Sequence, residues 1–327
     1  MDNHNAMPET LVEALRYFSN PDVCLSFIVQ LRWPDGVVRC PTCGSSFVSF
    51  VSTRRVWTCR ENHERKQFSI KVGTIFEDSP IPLDKWMAAM WLLANDKNGI
   101  SSYEVGRALG ITQKSAWHMM HRIRLTMQRD GVNKLAGDVE ADETYIGGKA
   151  RFMHKHKRDA KIKGTGGMGK TAVMGLLERH GPDKASQVRV RVISTTKKKP
   201  LQAEVRQHVE AGASLYTDSL ASYEGLASDY AHEVINHAES YVRGKVHTNG
   251  LENFWSLLKR SIKGTYISVE PFHLFRYLDE QAFRFNERKD AEGDAGRFVK
   301  LLRAVVGRRV TYQQLIGKAA GMTPATT

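Results

Sequence analysis

The stretch AGDVEADETYIGG, residues 136–148, alternates acidic and apolar side chains, a pattern that predicts a single β-strand. Asp138, Glu140 and Asp142 lie two positions apart, so a strand directs all three carboxylates to the same face of a sheet. Like charges gathered on one face repel one another unless water or a cation surrounds them. The stretch therefore predicts a sheet whose acidic face meets either solvent or a bound cation.

Further strand-like and helical segments follow this strand. TAVMGLLERHG (171–181) and QVRVRVIST (187–195) predict a strand pair, PLQAEVRQHVEAG (200–212) predicts a helix, and ASLYTDSL (213–220) predicts a short strand that ends near Asp218. Strands and helices mixed in this way indicate an α/β domain, with a mixed sheet flanked by helices.

The stretch VHTNGLENFWSLLKR, residues 246–260, predicts a helix with two unlike faces. Its apolar residues recur at helical spacing and would face a core: Leu251, Phe254, Trp255, Leu258 and Ile262. Its polar stripe begins with an amide and a carboxylate one turn apart and then becomes basic: Asn249, Glu252, Ser256, Lys259 and Lys263. Such a stripe is typical of a solvated helix face, but this one also offers metal ligands beside cations.

Two carboxylates from adjacent strands and one from a helix form a ligand set that can hold two Mg²⁺ ions about 3.5–4 Å apart. Such a pair activates a hydroxyl nucleophile and stabilises the leaving oxygen when a phosphodiester is displaced. Asp142, Asp218 and Glu252 have this strand, strand and helix placement. Any one of them alone is typical of a solvated surface acid, so the hypothesis depends on the three together in a basic chain.

The charge of the chain indicates an anionic partner. The 327 residues carry a net charge of +13, and the basic residues are concentrated in runs, which favours a nucleic acid over a membrane. No apolar run approaches the roughly 18–20 residues of a membrane helix. The N-terminal residues lack a basic flank and an apolar segment, so we expect no signal peptide and a cytoplasmic, bacterial-type protein.

The spacing of the cysteines predicts a zinc site. Cys40 and Cys43 have the two-residue separation that lets both thiolates bind one ion, and Cys59 follows 16 residues after Cys43. Either His63 or Cys24 can complete a tetrahedral set, and we favour His63 because it lies four residues after Cys59. A small β-ribbon has little core, so the zinc would be structural and would hold it folded.

Residues 99–128 have the outline of a helix-turn-helix. Gly110 permits the turn, Thr112 can cap the second helix, and that helix presents the candidate DNA contacts Lys114, His118 and Arg122. Any small three-helix bundle shows the same pattern, so the DNA-binding interpretation rests on its proximity to the zinc ribbon and on the net charge.

A basic segment follows the acidic strand. Residues 149–170 contain eight Lys or Arg against one Asp and show no periodicity, which predicts a mobile loop. Such a loop can follow a DNA backbone, with Lys155, Lys157 and Arg158 as candidate contacts.

Three blocks, VEADETYIGG, YTDSLASY and HTNGLENFWSLLKR, resemble those of bacterial insertion-sequence transposases with an RNase H-like catalytic domain, a group related to the Merlin transposases. The blocks RWPDG…CPTCG, FSIKVGTIFEDSPIPLDKW and KNGIS…LGIT resemble the zinc ribbon and helical region of the same group. The resemblance covers roughly residues 20–290. It implies an RNase H-like core preceded by a zinc ribbon and a helix-turn-helix.

The resemblance also assigns site residues. It implies Asp142 and Asp218 as the first two catalytic acids, while the third position varies in the group between Asn and Glu. Both types stand here, as Asn249 and Glu252, and Glu252 keeps the usual seven-residue interval to Lys259. We favour Glu252 as the metal ligand, with Asn249 as a second ligand or a DNA contact. Lys259 and Arg260 would hold DNA phosphate, and Trp255 would pack in the core or stack on a displaced base.

The implied domains are an N-terminal helical segment (1–35), a zinc ribbon (36–80), a helix-turn-helix region (81–130), a catalytic domain with its basic loop (131–290) and a basic helical tail (291–327). The implied activity is transposition: terminal inverted repeats are bound, strands are cut with two Mg²⁺ or Mn²⁺ ions, and the 3′-hydroxyl is joined to target DNA. The implied partners are double-stranded DNA and, on DNA, a second copy of the chain or a larger assembly, with no membrane and with binding at the nucleoid. Two alternatives stay open, a non-catalytic DNA-binding regulator and a structure-specific nuclease of the same fold.

Overall fold

A computed structural model of the chain describes residues 7–129, 133–148, 154–161, 169–180, 185–235 and 247–318, with the backbone alone at residues 157, 160, 161 and 235. The chain forms two compact units. The first contains Met1–Met127 and Asp290–Ala320, and the second contains Gln128–Lys289 and Gly321–Thr327. Each unit is described by itself.

Helices and one small sheet form the first unit. The helices are α1 (Leu11–Tyr17), α2 (Pro21–Arg32), α3 (Leu83–Asn95), α4 (Ser102–Leu109), α5 (Gln113–Met127), α10 (Gly293–Arg303) and α11 (Tyr312–Leu315). Strands β1 (Val48–Val51), β2 (Val56–Cys59) and β3 (Gln67–Ser69) pair antiparallel in that order.

Local signals explain where several of these helices begin and end. Asn20 and Pro21 start α2, because the Asn20 side chain accepts a hydrogen bond from the backbone of α2 and Pro21 is its first residue. Ser101 and Glu104 form a capping box at the start of α4. That helix ends at Gly110, whose φ of 59° is left-handed and suits glycine.

The C-terminal helix α10 completes the core of the first unit. Phe298 is fully buried, and its ring centroid lies 5.5 Å from that of Phe18 and 5.2 Å from that of Trp91 on α3. The predicted helical tail is thus helical at α10 and α11, and α10 is a packed element because its apolar stripe also includes Leu301 and Leu302. Residues 319–327 lie outside the described residues.

A five-stranded mixed sheet forms the centre of the second unit. Its strands are β4 (Asp138–Ile146), β5 (Thr171–Glu178), β6 (Gln187–Ile193), β7 (Ser214–Asp218) and β8 (Ala231–Ile235), in the order β6-β5-β4-β7-β8. Strand β5 is antiparallel to both β4 and β6, while β7 is parallel to both β4 and β8. The acidic strand β4 is therefore the central strand, and the predicted β5–β6 pair is confirmed.

Helices cover both faces of this sheet, as the mixed pattern predicted. On one face α7 (Lys198–His208) packs through Leu201 and Val205. On the other face lie α8 (Asn249–Ser261) and α9 (Leu274–Asn286), which bury Phe254 and Leu278. Helix α8 continues into a π-helical turn, Ile262–Tyr266. The face under α8 is the one to which Glu140 and Asp142 point.

The prediction of a continuous loop at 149–170 is wrong in its middle. Residues Lys155–Lys161 form a helix, α6, because the sequence KHKRDAK is rich in good helix formers. Residues 149–153 and 162–168 lie outside the described residues. Within the described part of the chain, no helix combines the length and the apolar character that a bilayer crossing requires.

Candidate functional site

Four side chains of the first unit converge on one point. The ligand atoms of Cys40, Cys43, Cys59 and His63 all lie within 4.8 Å of one another. The Cys43 and Cys59 sulfurs are 3.7 Å apart, and Cys40 Sγ lies 3.5 Å from His63 Nε2. Tetrahedral zinc with Zn–S bonds of about 2.3 Å separates its ligand atoms by roughly 3.7 Å. The donor set and its spacing therefore fit one zinc ion.

Two local features hold the cysteines in place. Cys40 precedes a tight turn in which the Gly44 amide donates to the Cys40 carbonyl at 2.8 Å, and Gly44 has a left-handed φ of 76°. Cys59 ends β2. Cys24 is instead buried in α2, where its thiol donates to the Phe18 carbonyl at 3.1 Å, and burial raises its pKa to about 12. The structure therefore groups His63, and not Cys24, with the other three cysteines.

In the second unit, Asp142 and Asp218 come from neighbouring parallel strands. Ala141 of β4 is opposite Thr217 of β7, so the next residue on each strand is one of the two acids. Asp218 Oδ1 accepts from the Leu220 amide at 3.1 Å, which fixes that side chain where the strand ends. The β-sheet register therefore places these two carboxylates side by side.

Helix α8 supplies the third acid. The pKa of Asp142 is raised to about 6, mainly by burial and in part by the charges of Asp218 and Glu252, while a hydrogen bond from Trp255 opposes the shift. Glu252 is exposed in the first turn of α8, and Thr248 Oγ1 donates to its Oε1 at 3.5 Å. Asp142, Asp218 and Glu252 therefore share one electrostatic environment.

The other predicted residues of α8 occupy the same end or face of this helix. Asn249 is its exposed first residue, and Arg260 is exposed in its last turn. Lys259 is half-buried, and burial lowers its pKa while the charge of Asp142 opposes that shift. The Lys259 ammonium therefore lies within the field of the acidic cluster.

Trp255 packs in the core and also contacts the site. It is only 4% exposed, and its Nε1 donates to Asp142 Oδ2 at 2.8 Å. A Cβ on Gly175 of β5 would come within 2.6 Å of the indole, so the absence of a side chain there lets the ring lie flat against the sheet. Of the two predicted roles, the structure shows core packing, because the buried ring cannot stack on a base.

The other acids of β4 have protein partners. Glu140 is 1% exposed and pairs with Arg179, whose Nε is 2.7 Å from Glu140 Oε1. Asp138 Oδ1 accepts from the Tyr216 hydroxyl at 3.3 Å. These partners therefore reduce the repulsion that was predicted among the three carboxylates of β4. Of the three, only Asp142 faces Asp218 and Glu252.

Glu143 belongs to the cluster but was not predicted. Its Oε2 accepts from the buried Tyr223 hydroxyl at 2.8 Å. Burial raises its pKa to about 7, and Asp218 and Asp142 add to the shift. The alternation of β4 had assigned Glu143 to the opposite face of the strand. Its position directly after Asp142 is the one signal in the sequence that could have indicated it.

The chemistry of the acidic cluster fits a hard divalent cation. All its donors are carboxylate oxygens, which Mg²⁺ prefers, and nearby acidic charges help to raise the pKa of Asp142 and of Glu143. Asp142, Asp218 and Glu252 could hold such a cation, with Glu143 beside them.

The candidate DNA contacts differ in accessibility. Lys114 is exposed, with its ammonium 4.7 Å from the centroid of the Tyr312 ring. His118 is half-buried against the same ring at 5.6 Å, and burial lowers its pKa. Lys155 is exposed on α6, Arg158 is half-exposed, and the Lys157 side chain lies outside the described atoms.

Arg122 does not face solvent as predicted. It is 5% exposed, and its guanidinium donates to the carbonyls of Ile75 (2.9 Å), Glu77 (2.7 Å) and Val310 (3.2 Å). The backbone that follows α10 covers this side of α5, so the expected DNA contact is a structural residue. The sequence could not show this, because Val310 is 188 positions away.

Two family models and one relative match the regions of the chain that contain these residues. Residues 19–64 match the family described as the transposase zinc-ribbon domain, and residues 134–286 match the ISXO2-like transposase domain. The first range contains the zinc ligands and the second contains Asp142, Asp218 and Glu252. The chain is also similar to an uncharacterised protein in transposable element ISH50 of Halobacterium salinarum, with 26% identity over 247 residues, 72% of this chain and 81% of the relative. The chain thus belongs to the insertion-sequence transposases that carry an N-terminal zinc ribbon.

Proposed function

We propose that this chain is a DNA transposase that binds the terminal inverted repeats of its element, cuts the strands there and joins the freed 3′-hydroxyl to target DNA. The observation that carries the proposal is the placement of Asp142 and Asp218 side by side on the neighbouring parallel strands β4 and β7, with Glu252 in their field. Transesterification would need no covalent bond between protein and DNA.

The catalytic domain would be RNase H-like. Three antiparallel strands followed by two parallel ones, with the first strand of the unit in the middle, support this assignment. Helices on both faces, with one acid in the middle of β4 and one at the end of β7, are consistent with it. A fold alone does not establish an activity, so the proposal depends on the acids.

Asp142, Asp218 and Glu252 would hold two Mg²⁺ or Mn²⁺ ions. Bound ions would activate the attacking hydroxyl and stabilise the leaving oxygen. Other residues of the chain would bind the DNA and orient the metal ligands. Lys259 and the exposed Arg260 would bind DNA phosphate next to the acids, and Trp255 holds the Asp142 carboxylate in one orientation through its hydrogen bond.

Glu252 is the preferred third ligand. Its charge contributes to the raised pKa of Asp142, so its carboxylate lies near the other two acids. Asn249 lies one turn earlier, and its amide carbonyl could bind a cation without contributing charge. We assign Asn249 to a second coordination position or to a DNA contact.

The first unit would recognise the element ends. The zinc ribbon and the α4–α5 pair, a proposed helix-turn-helix, bring Lys114 and the half-exposed His118 to the surface. Lys155, Lys157 and Arg158 of the second unit would follow the backbone of double-stranded DNA. Two element ends must be held at once, so a dimer or larger assembly on DNA is expected, and the bacterial cytoplasm, at the nucleoid, is the proposed location.

A strand-transfer assay tests the function against its two rivals. The purified protein is given labelled element-end DNA, with a free 3′-hydroxyl already at the end, and a supercoiled target with Mg²⁺. Transposition predicts joined products that Asp142→Asn and Asp218→Asn abolish while repeat binding persists. Cutting of an intact end without joining would indicate a nuclease. Binding with neither reaction would indicate a regulator, and either result would overturn the proposal.

A further inference from the structure

The N-terminus of α8 is held to β4 by a buried carboxylate that the catalytic proposal does not use. Glu140 Oε2 accepts from the backbone amide of Leu251 at 2.8 Å, in the first turn of the helix. An acid at this place satisfies a helix-terminal N–H and favours the positive end of the helix dipole. The contact joins the central strand directly to the turn that carries Glu252.

The other carboxylate oxygen of Glu140, Oε1, also has a hydrogen-bond partner. Oε1 accepts from Arg179 Nε at 2.7 Å, and the Arg179 guanidinium also lies over the ring of Tyr216, 4.4 Å from its centroid. Arg179 donates further to the backbone carbonyl of His247, and its NH2 is 3.0 Å from the ring nitrogen Nδ1 of His247. Glu140 and Arg179 therefore hold both the first turn of α8 and His247, which lies two residues before the helix.

The sequence of α8 leaves space for this contact. Gly250 is the second helical residue, and a Cβ there would lie 2.9 Å from Glu140 Oε2 and 3.0 Å from Oε1. Any side chain at this position would push the carboxylate away from the Leu251 amide. Gly250 therefore leaves the space that the Glu140 carboxylate needs to reach the Leu251 amide.

With both oxygens occupied and only 1% of its surface exposed, Glu140 has no free oxygen for a metal ion. We propose that Glu140 is a positioning residue that fixes the N-terminal turn of α8 against β4 and thereby sets the place of the third metal ligand. This inference rests on the catalytic function proposed above. A displacement of about 1 Å of a reacting group can cost 10²-fold in rate, so a rigid anchor has a catalytic effect.

The test compares Glu140→Gln with a matched control, Glu204→Gln. The glutamine at 140 keeps an acceptor for Leu251 but loses the charge that holds Arg179. Glu204 pairs with Arg191 at 3.4 Å, on the α7 side of the same unit, so its substitution removes a similar ion pair away from α8. Single-turnover cleavage by the full chain is measured on pre-bound element ends across a Mg²⁺ titration, below the melting temperature of each variant.

A positioning role predicts that Glu140→Gln lowers the cleavage rate about 10²-fold and raises the Mg²⁺ concentration for half-maximal rate, with DNA affinity unchanged. Gly250→Ala should reproduce this pattern, and Glu204→Gln should not. A merely structural role would lower the melting temperature of Glu140→Gln and leave the rate and Mg²⁺ dependence of the folded protein unchanged, which would overturn the proposal.

A second readout separates this proposal from the catalytic one. Amide hydrogen exchange of the peptide that covers the start of α8 should be at least tenfold faster in Glu140→Gln than in the wild-type protein, with other helices unaffected. If the wild-type protein shows no cleavage, the proposed function is wrong. The exchange measurement still tests the anchoring role of Glu140, because it does not depend on cleavage. Unchanged exchange at the start of α8 would show that Glu140 does not anchor the helix.

Discussion

The indole Nε1 of Trp255 donates to Asp142 Oδ2 at 2.8 Å, which joins the core of α8 to the proposed first catalytic acid on β4. One residue thus packs a helix on a sheet and orients a carboxylate whose neighbours are also acidic. Because the two residues are 113 positions apart, any shift of α8 on the sheet also changes the site.

Removal of this donor should affect catalysis more than folding. We expect Trp255→Phe to keep most of the packing and to lower single-turnover cleavage at least tenfold, because Asp142 loses its fixed orientation. The lost hydrogen bond to a charged group should also cost about 2 kcal/mol in unfolding free energy. Phe254→Leu is the control, since it trims the same core without touching Asp142. Equal rate losses in both variants would contradict the orienting role.

The identity of the third ligand can be decided by chemistry. Glu252→Gln removes a charge at nearly constant volume and should lower the cleavage rate at least ~10²-fold, the scale of losing a key electrostatic group. Partial rescue by Mn²⁺ would support direct ligation, since Mn²⁺ generally binds such ligands more tightly. Asn249→Ala should be milder. Single-turnover cleavage on a pre-bound end removes DNA binding from the comparison, and a mild Glu252→Gln with a severe Asn249→Ala would reverse the assignment.

The zinc site should be structural and independent of Cys24. Elemental analysis should find about one zinc per chain, and chelation should unfold the ribbon, seen as lost strand signal in circular dichroism. His63→Ala should abolish tight zinc binding, while Cys24→Ala should leave it intact. At pH 8 the Cys24 thiol stays protonated, because its pKa is raised to about 12, so it should resist alkylation in the folded protein. Rapid modification of Cys24 in the zinc-loaded protein would contradict this placement.

The raised pKa of Asp142 predicts how stability depends on pH when no Mg²⁺ or Mn²⁺ is present. In the folded protein this carboxyl holds its proton up to about pH 6, whereas an unfolded Asp has a pKa near 3.9. The folded state binds more protons, so this contribution is full below about pH 4 and is lost as pH rises through about 6. The total loss is on the order of 3 kcal/mol at 1.36 kcal/mol per pKa unit.

The measurement is urea unfolding of the zinc-loaded protein between pH 4 and pH 8, in buffer that contains no Mg²⁺ or Mn²⁺ and no chelator. Asp142→Asn has no group to titrate there, so it should become more stable than the wild-type protein as pH rises. At pH 8, added Mg²⁺ should restore the unfolding free energy of the wild-type protein and should have little effect on that of Asp142→Asn. A constant difference between the two proteins across this range would show that Asp142 is not desolvated in the fold.

Two basic residues of α5 should behave in opposite ways. Arg122→Met leaves three backbone carbonyls without their donor and should lower the unfolding free energy by about 3 kcal/mol. Lys114→Ala should change stability by less than about 0.5 kcal/mol but weaken DNA binding and reduce its salt dependence by about one phosphate contact. Calorimetry and binding isotherms at several salt concentrations check both. Weaker DNA binding by a fully stable Arg122→Met would restore the original DNA-contact prediction.

Local patterns in the sequence were sufficient to predict most of the helices and strands and the residues that carry chemistry. The alternation in β4, the spacing of Cys40 and Cys43, and the apolar stripe of α8 follow from the periods of strand, turn and helix, which involve residues close in the chain. The same local rules placed Asp218 at a strand end and Glu252 in the first turn of α8.

Only the tertiary structure decided how those residues are used. It brought His63 rather than Cys24 to the zinc ligands, paired Glu140 with Arg179, and buried Arg122 under the chain near Val310. These partners lie between 23 and 188 positions apart, at distances where no period of the backbone relates two side chains. Packing and the pairing of buried polar groups choose among such contacts, and both exist only after the strands and helices have met.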